Sequence, residues 1–140
     1  MLNVAHASLL TAIVTVIALL MYFWTGFRVG GMRSKHGIKA PAVTGNFEFE
    51  CAYRVQMNTL EQMVMFLPLL WLSNAYFMAW PYLTGALGLV WVVGRIVYAI
   101  GYMQDPSKRE AGFIISALAL LALLITTIWG IANAWIAVSA

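Results

Sequence analysis

From Gln62 to Gly94 the chain reads QMVMFLPLLWLSNAYFMAWPYLTGALGLVWVVG, without one Asp, Glu, Lys or Arg. A helix needs ~20 apolar residues to cross a bilayer. This stretch therefore holds the end of one membrane-length segment and the start of another, divided at Trp80-Pro81. Working outward, charge is absent again from Met1 to Phe27 and from Ala111 to Ala140. Of the 140 residues 63% are hydrophobic and 9% charged, against roughly half and about 25% in soluble domains. A soluble chain this short cannot hide so much apolar surface. The residues predict an all-α, integral membrane four-helix bundle, a single domain over residues 1–140.

The first span is expected from Val4 to Val29, leaving the membrane at Arg28 and Gly30-Gly31. It lacks a basic leader and a clear cleavage site, and reads as a retained helix instead of a signal peptide. Residues 32–46, with Arg33, Lys35, Lys39, Pro41 and Gly45, read as a loop. The second span runs from Phe47 to Tyr76, and Pro68 should kink it by removing one backbone hydrogen bond. The third begins at Trp80-Pro81, proline suiting a first helical turn, and continues to about Met103. Residues 104–110 form a polar turn, and the last span runs from Ala111 to Ile136. Gly85, Gly88 and the Ala-rich last span would permit close helix contact, or be ordinary membrane composition.

Arg28, Arg33, Lys35 and Lys39 follow the first span, and Lys108 and Arg109 precede the last. Antiparallel spans put both groups on one side, which the positive-inside rule makes cytoplasmic. The basic residues do not form the exposed stripe expected of a nucleic-acid binder. The single cysteine, Cys51, excludes an internal disulfide and a cysteine metal cluster, and its apolar surroundings and lack of a helically spaced His argue against a nucleophile.

The second span carries Arg54, Asn58 and Glu61 at offsets of i, i+4 and i+7, one helical face. A charge at the bilayer centre costs roughly 2.5–3.5 kcal/mol, so this stripe needs partners. It is either a structural Arg–Glu pair or a pocket for a charged ligand. Gln56 points about 200° away from Arg54, and is either a lone interhelical hydrogen bonder or a contribution to a neighbouring subunit. Arg95, Tyr98 and Tyr102 share a face of the third span. The tyrosines are either an interfacial belt or hydrogen-bond donors to a polar ligand. Arg109 by itself fits a positive-inside anchor. A transporter or channel subunit would explain the polar second span, but not the continuation of polarity along the third.

The run Tyr53-Arg54-Val55-Gln56-Met57-Asn58-Thr59-Leu60-Glu61 resembles the R-x-Q-x-N-x-x-E signature of the MAPEG superfamily, membrane-associated proteins in eicosanoid and glutathione metabolism. Gly94-Arg95-Ile96-Val97-Tyr98-Ala99-Ile100-Gly101-Tyr102 is similar to its G-R-x-x-Y-x-x-G-Y motif. Asp105-Pro106-Ser107-Lys108-Arg109 looks most like the microsomal glutathione transferase 3 and leukotriene C4 synthase branch. The resemblance covers almost the whole chain.

It implies a homotrimer with glutathione as co-substrate bound between subunits. Arg54, Asn58, Glu61, Arg95, Tyr98 and Tyr102 would line the glutathione pocket, Arg33 and Gln56 would reach it from a neighbour, and Arg109 would hold the catalytic thiolate. Gln62 departs from the synthase branch, which has a ligand-binding tyrosine there. The implied activity is a glutathione transferase, with glutathione peroxidase activity beside it, on lipophilic electrophiles or lipid hydroperoxides. A non-catalytic lipid-binding or scaffold member of the same fold is the alternative. No metal is implied. The expected location is a bacterial inner membrane or the endoplasmic reticulum, the former at least as well supported without a dibasic C-terminal tail, and the site faces the cytosol.

Overall fold

A computed structural model describes residues 2–140, with side chains from residue 4 onward. Its elements are α1 (Leu2–His36), α2 (Phe47–Tyr76), α3 (Leu83–Gln104), a 3-10 turn (Pro106–Arg109) and α4 (Glu110–Ser139). There is no strand among the described residues. Three of the helices, α1, α3 and α4, are long and apolar enough to cross a membrane. Helix α2 has the length, at 30 residues, but carries Glu48, Glu50, Arg54 and Glu61.

Helix α1 continues well past Gly30-Gly31, where the sequence suggested an exit. A glycine inside a helix costs only about 1 kcal/mol, and neither of these has a neighbour within 4 Å that would demand a bend. The helix stops at Gly37, whose φ of 66° only glycine adopts readily. The Ile38 N–H then bonds the Arg33 carbonyl at 3.0 Å, the closure of a Schellman motif. Helix α2 starts where expected. Asn46 caps it, its side-chain oxygen accepting from the N–H groups of Glu48 and Phe49 at 2.9 and 3.3 Å. It runs unbroken through Pro68. Trp80-Pro81 lies in the turn before α3, which begins at Leu83. The turn expected over residues 104–110 contains the 3-10 segment, and α4 continues to Ser139.

The core is a central layer in which Val14 and Ala18 of α1, Met63, Phe66 and Leu70 of α2, Trp91 of α3 and Leu123 of α4 meet. Phe66 and Trp91 stack with ring centroids 3.8 Å apart. A buried hydroxyl cluster ties the bundle below it: Ser73 lies 2.8 Å from both Thr84 and Thr126. Outside, α1 exposes Leu9, Ile13, Leu20 and Phe23, and α4 exposes Leu118, Leu121, Ile125 and Ile128. Such a belt suits lipid and would aggregate in water.

Gly85 and Gly88 do allow close helix contact, an added Cβ there standing 2.6 Å from Leu10 and 2.8 Å from Leu70 and Val14 side chains. Backbone itself is met at Gly112, where the Cβ would stand 2.1 Å from the Tyr98 nitrogen, and at Gly101, where it would stand 2.6 Å from the Lys108 carbonyl oxygen. These contacts lock α4 and the 3-10 turn onto α3. The charged residues lie toward the end of the bundle that holds the α1–α2 and α3–α4 connections, apart from Glu61 and Arg95, which sit near the middles of α2 and α3.

Candidate functional site

At that charged end a cleft of about 470 Å³ opens between α2, the end of α3 and the start of α4. Arg54 and Asn58 reach it from α2, Tyr98 and Tyr102 from α3, and Arg109 from the 3-10 turn. Glu110, Phe113 and Ile114 complete the wall. The volume lies in the range of small-molecule sites. Phe113 and Ile114 are also exposed on the outer surface, so the cleft has one charged wall and one apolar wall continuous with the lipid-facing belt.

Local sequence explains each placement. The apolar stripe Phe49, Ala52, Val55, Thr59, Met63 and Phe66 turns one side of α2 into the bundle, which leaves Arg54 and Asn58 on the other. Asp105 ends α3, and its side-chain oxygen accepts from the Ser107 N–H at 2.9 Å and hydroxyl at 2.8 Å. These bonds hold the Asp105 carboxyl below the usual aspartate range. They also tighten the turn that delivers Arg109. The Arg109 guanidinium stands 5.5 Å from the Tyr102 ring centroid, within cation–π range. Tyr102 in turn lies 5.6 Å from the Tyr98 ring.

Arg95 is not a wall of this cleft. It is completely buried beneath Tyr98, with its guanidinium carbon 4.0 Å from that ring's centroid. One of its nitrogens donates to the Thr59 hydroxyl at 2.7 Å, and Nε and the second terminal nitrogen have no partner. Asn58 donates to Glu61 Oε2 at 3.2 Å, and its own side-chain oxygen is buried without a partner. Buried polar groups are nearly always satisfied. Three unsatisfied atoms, one on Asn58 of α2 and two on Arg95 of α3, mark this region as built for more than packing.

Arg33 and Gln56 lie elsewhere. Arg33 donates to the Ala42 carbonyl at 2.8 Å and covers the Phe49 ring. Gln56 faces α1, where its amide nitrogen would stand 3.2 Å from a Cβ added at Gly26. Gln62 points into the core, its oxygen accepting the Trp91 indole N–H at 3.1 Å. Phe113 and Ile114 carry no sequence signal, since one turn of an apolar helix looks like any other until its neighbours are known, and Glu110 reads only as an acidic first-turn residue of α4. Among the described residues no group of three His, Cys, Asp or Glu side chains could hold a metal ion.

The family model described as the MAPEG family matches residues 11–129. An uncharacterized protein of Synechocystis is 44% identical over 114 residues, covering 81% of this chain and 82% of the relative. Human microsomal glutathione S-transferase 2 is 35% identical over 132 residues, covering 94% and 88%. Guinea-pig (Cavia porcellus) leukotriene C4 synthase is 35% identical over 115 residues, covering 82% and 75%.

Proposed function

This chain belongs to the MAPEG family, and on that premise we propose that it is a membrane-bound glutathione transferase with an accompanying glutathione peroxidase activity. The observation that carries the reading is the cleft itself, which sets the cations Arg54 and Arg109 and the phenols Tyr98 and Tyr102 against the apolar Phe113 and Ile114. Glutathione has two carboxylates, an ammonium and a thiol. A guanidinium pairs with a carboxylate bidentately, the role assigned to Arg54, with Tyr98 and Tyr102 bonding carboxylate oxygens. The unpartnered Asn58 oxygen and Glu61 suit the ammonium. Arg95 adds positive charge from beneath.

Arg109 is assigned to the sulfur. An ordinary thiol ionises near pH 8.5, and a neighbouring guanidinium favours the thiolate. Each unit of lowering is about 1.4 kcal/mol. The start of α4 adds the partial positive charge of a helix N-terminus. The thiolate lone pair forms the new C–S bond, and the leaving group departs with its bonding electrons. With a hydroperoxide, the thiolate attacks oxygen, the O–O bond breaks, and the alkoxide takes a proton. The resulting sulfenic acid is reduced by a second glutathione, giving the disulfide and water. The lipophilic partner enters over Phe113 and Ile114.

In this reading α2 crosses the bilayer with the other three helices. The unit is a homotrimer, and the charged end faces the cytosol of a bacterial inner membrane or the endoplasmic reticulum. Arg33 and Gln56, both turned away from the cleft of their own chain, serve the neighbouring subunit. One observation favours the non-catalytic, lipid-binding alternative: Gln62 is committed to Trp91 and offers the cleft nothing.

The test is turnover of glutathione with an aromatic halide by the purified protein. Saturable turnover that falls on the order of 10²-fold in Arg109→Ala, the usual scale for losing one charge-stabilising group, supports the transferase. Glutathione binding without turnover in the unaltered protein leaves the alternative standing instead.

A further inference from the structure

Helices α1 and α3 enclose a second feature, to which α4 contributes no lining residue. Met21 and Trp24 of α1 and Ile96 and Ile100 of α3 line an apolar groove of about 230 Å³. One turn further toward the charged end, Arg28 and Lys35 of α1, Glu48 of α2 and Met103 of α3 line a polar hollow of about 180 Å³. The two are in register. Met21, Trp24, Arg28 and Met32 follow one another along one face of α1, as Ile96, Ile100 and Met103 do along α3. Together they form one track, apolar along its shaft and basic at its head.

The level of the head is set by the chain. Residues 4–27 of α1 are uncharged, more than the ~20 residues that cross the hydrocarbon, so Arg28 emerges at headgroup depth. Trp24, one turn below, sits where amphipathic rings favour the interface. The charges at the head are unequally committed. Lys35 donates to Glu48 at 2.6 Å, and His36 lies 2.9 Å from the same carboxylate oxygen. Arg28 has no ion pair among the described residues and is exposed. Among Arg28, Lys35 and Glu48 one positive charge is left over.

We propose that this track binds an anionic membrane phospholipid, its phosphodiester on Arg28 with Lys35 beside it and one acyl chain along Met21, Trp24, Ile96 and Ile100. The site is separate from the glutathione cleft and stands whether or not that reading holds. Charge complementarity selects the phosphodiester, and the groove's continuation below the head selects a lipid over a free phosphate.

The test is native mass spectrometry of the intact protein released from membranes containing phosphatidylglycerol and phosphatidylcholine. The unaltered protein is expected to retain phosphatidylglycerol in preference. Arg28→Gln should lower that retention about fivefold, the scale of one basic residue at an anionic surface. Lys39→Gln, in the loop outside the track, should leave it unchanged. Trp24→Ala should shorten retention of both lipids. Equal retention of the two lipids by the unaltered protein, or loss of the same size in Lys39→Gln as in Arg28→Gln, overturns the proposal. Circular dichroism of each variant confirms that helix content is kept.

Discussion

The Arg95 guanidinium lies 4.0 Å from the Tyr98 ring centroid, fully buried and with no ion pair among the described residues. A buried cation held by one hydroxyl and a ring face contributes little to stability. Replacing such a group by an apolar side chain of similar size is often neutral or stabilising.

Arg95→Met is therefore expected to keep or raise the melting temperature. Thr59 is not orphaned by the change, because its hydroxyl already donates to the Val55 carbonyl at 2.8 Å. Glutathione affinity should fall roughly tenfold, the cost of about 1.4 kcal/mol of lost electrostatic attraction. Thermal melts and calorimetric titration of one preparation check both. A large loss of stability with unchanged affinity would make Arg95 structural.

Gly112 and Gly30 should respond in opposite directions. An alanine Cβ at Gly112 would stand 2.1 Å from the Tyr98 nitrogen, so α4 must move off α3. The expected cost is at least ~1–3 kcal/mol, as for an overpacked core, with a misplaced cleft. At Gly30, where nothing lies within 4 Å, alanine should stabilise α1 by roughly 0.5–1 kcal/mol. Melting temperatures of the two variants decide it.

The turn carrying Arg109 should loosen in acid. Bonds from the Ser107 N–H and hydroxyl lower the Asp105 pKa, so its contribution is full above the unfolded aspartate value of about 3.9. That contribution is lost as pH falls through the lower folded value. Protection of the amides of residues 107–110, taken relative to their intrinsic exchange rates, should fall below about pH 4. In Asp105→Ala that protection should be low at every pH.

If neighbouring chains share each site, Arg54→Ala and Gln56→Ala damage opposite halves. Co-expressed, the two inactive variants should regain part of the activity, because some interfaces pair an intact Arg54 with an intact Gln56. Activity in the mixture no greater than in either variant would mean that each chain carries its own complete site.

Much of this fold is legible in the sequence because lipid imposes a simple rule: helices of fixed minimum length without charge. The bounds of α2 follow from Asn46, whose capping chemistry is local. The end of α1 is not legible, since Gly30-Gly31 and Gly37 look alike in sequence and only the backbone shows which is left-handed. For the candidate site, helical spacing was enough to set Arg54 with Asn58 and Tyr98 with Tyr102. It could not show that Arg95 lies beneath Tyr98 and not beside it, because burial depends on how closely Gly94 and Gly112 let α4 approach. Nor could it show Phe113 and Ile114 as a wall, which exists only once Arg109 is folded back over Tyr102.

The most direct measurement is calorimetric titration of glutathione into the detergent-purified protein and its Arg54→Ala variant. Saturable binding by the unaltered protein with a constant of about 1 mM or tighter, the ordinary range for enzyme substrates, and its loss in the variant are expected. No saturable binding by the unaltered protein, or equal binding by both, would contradict the account.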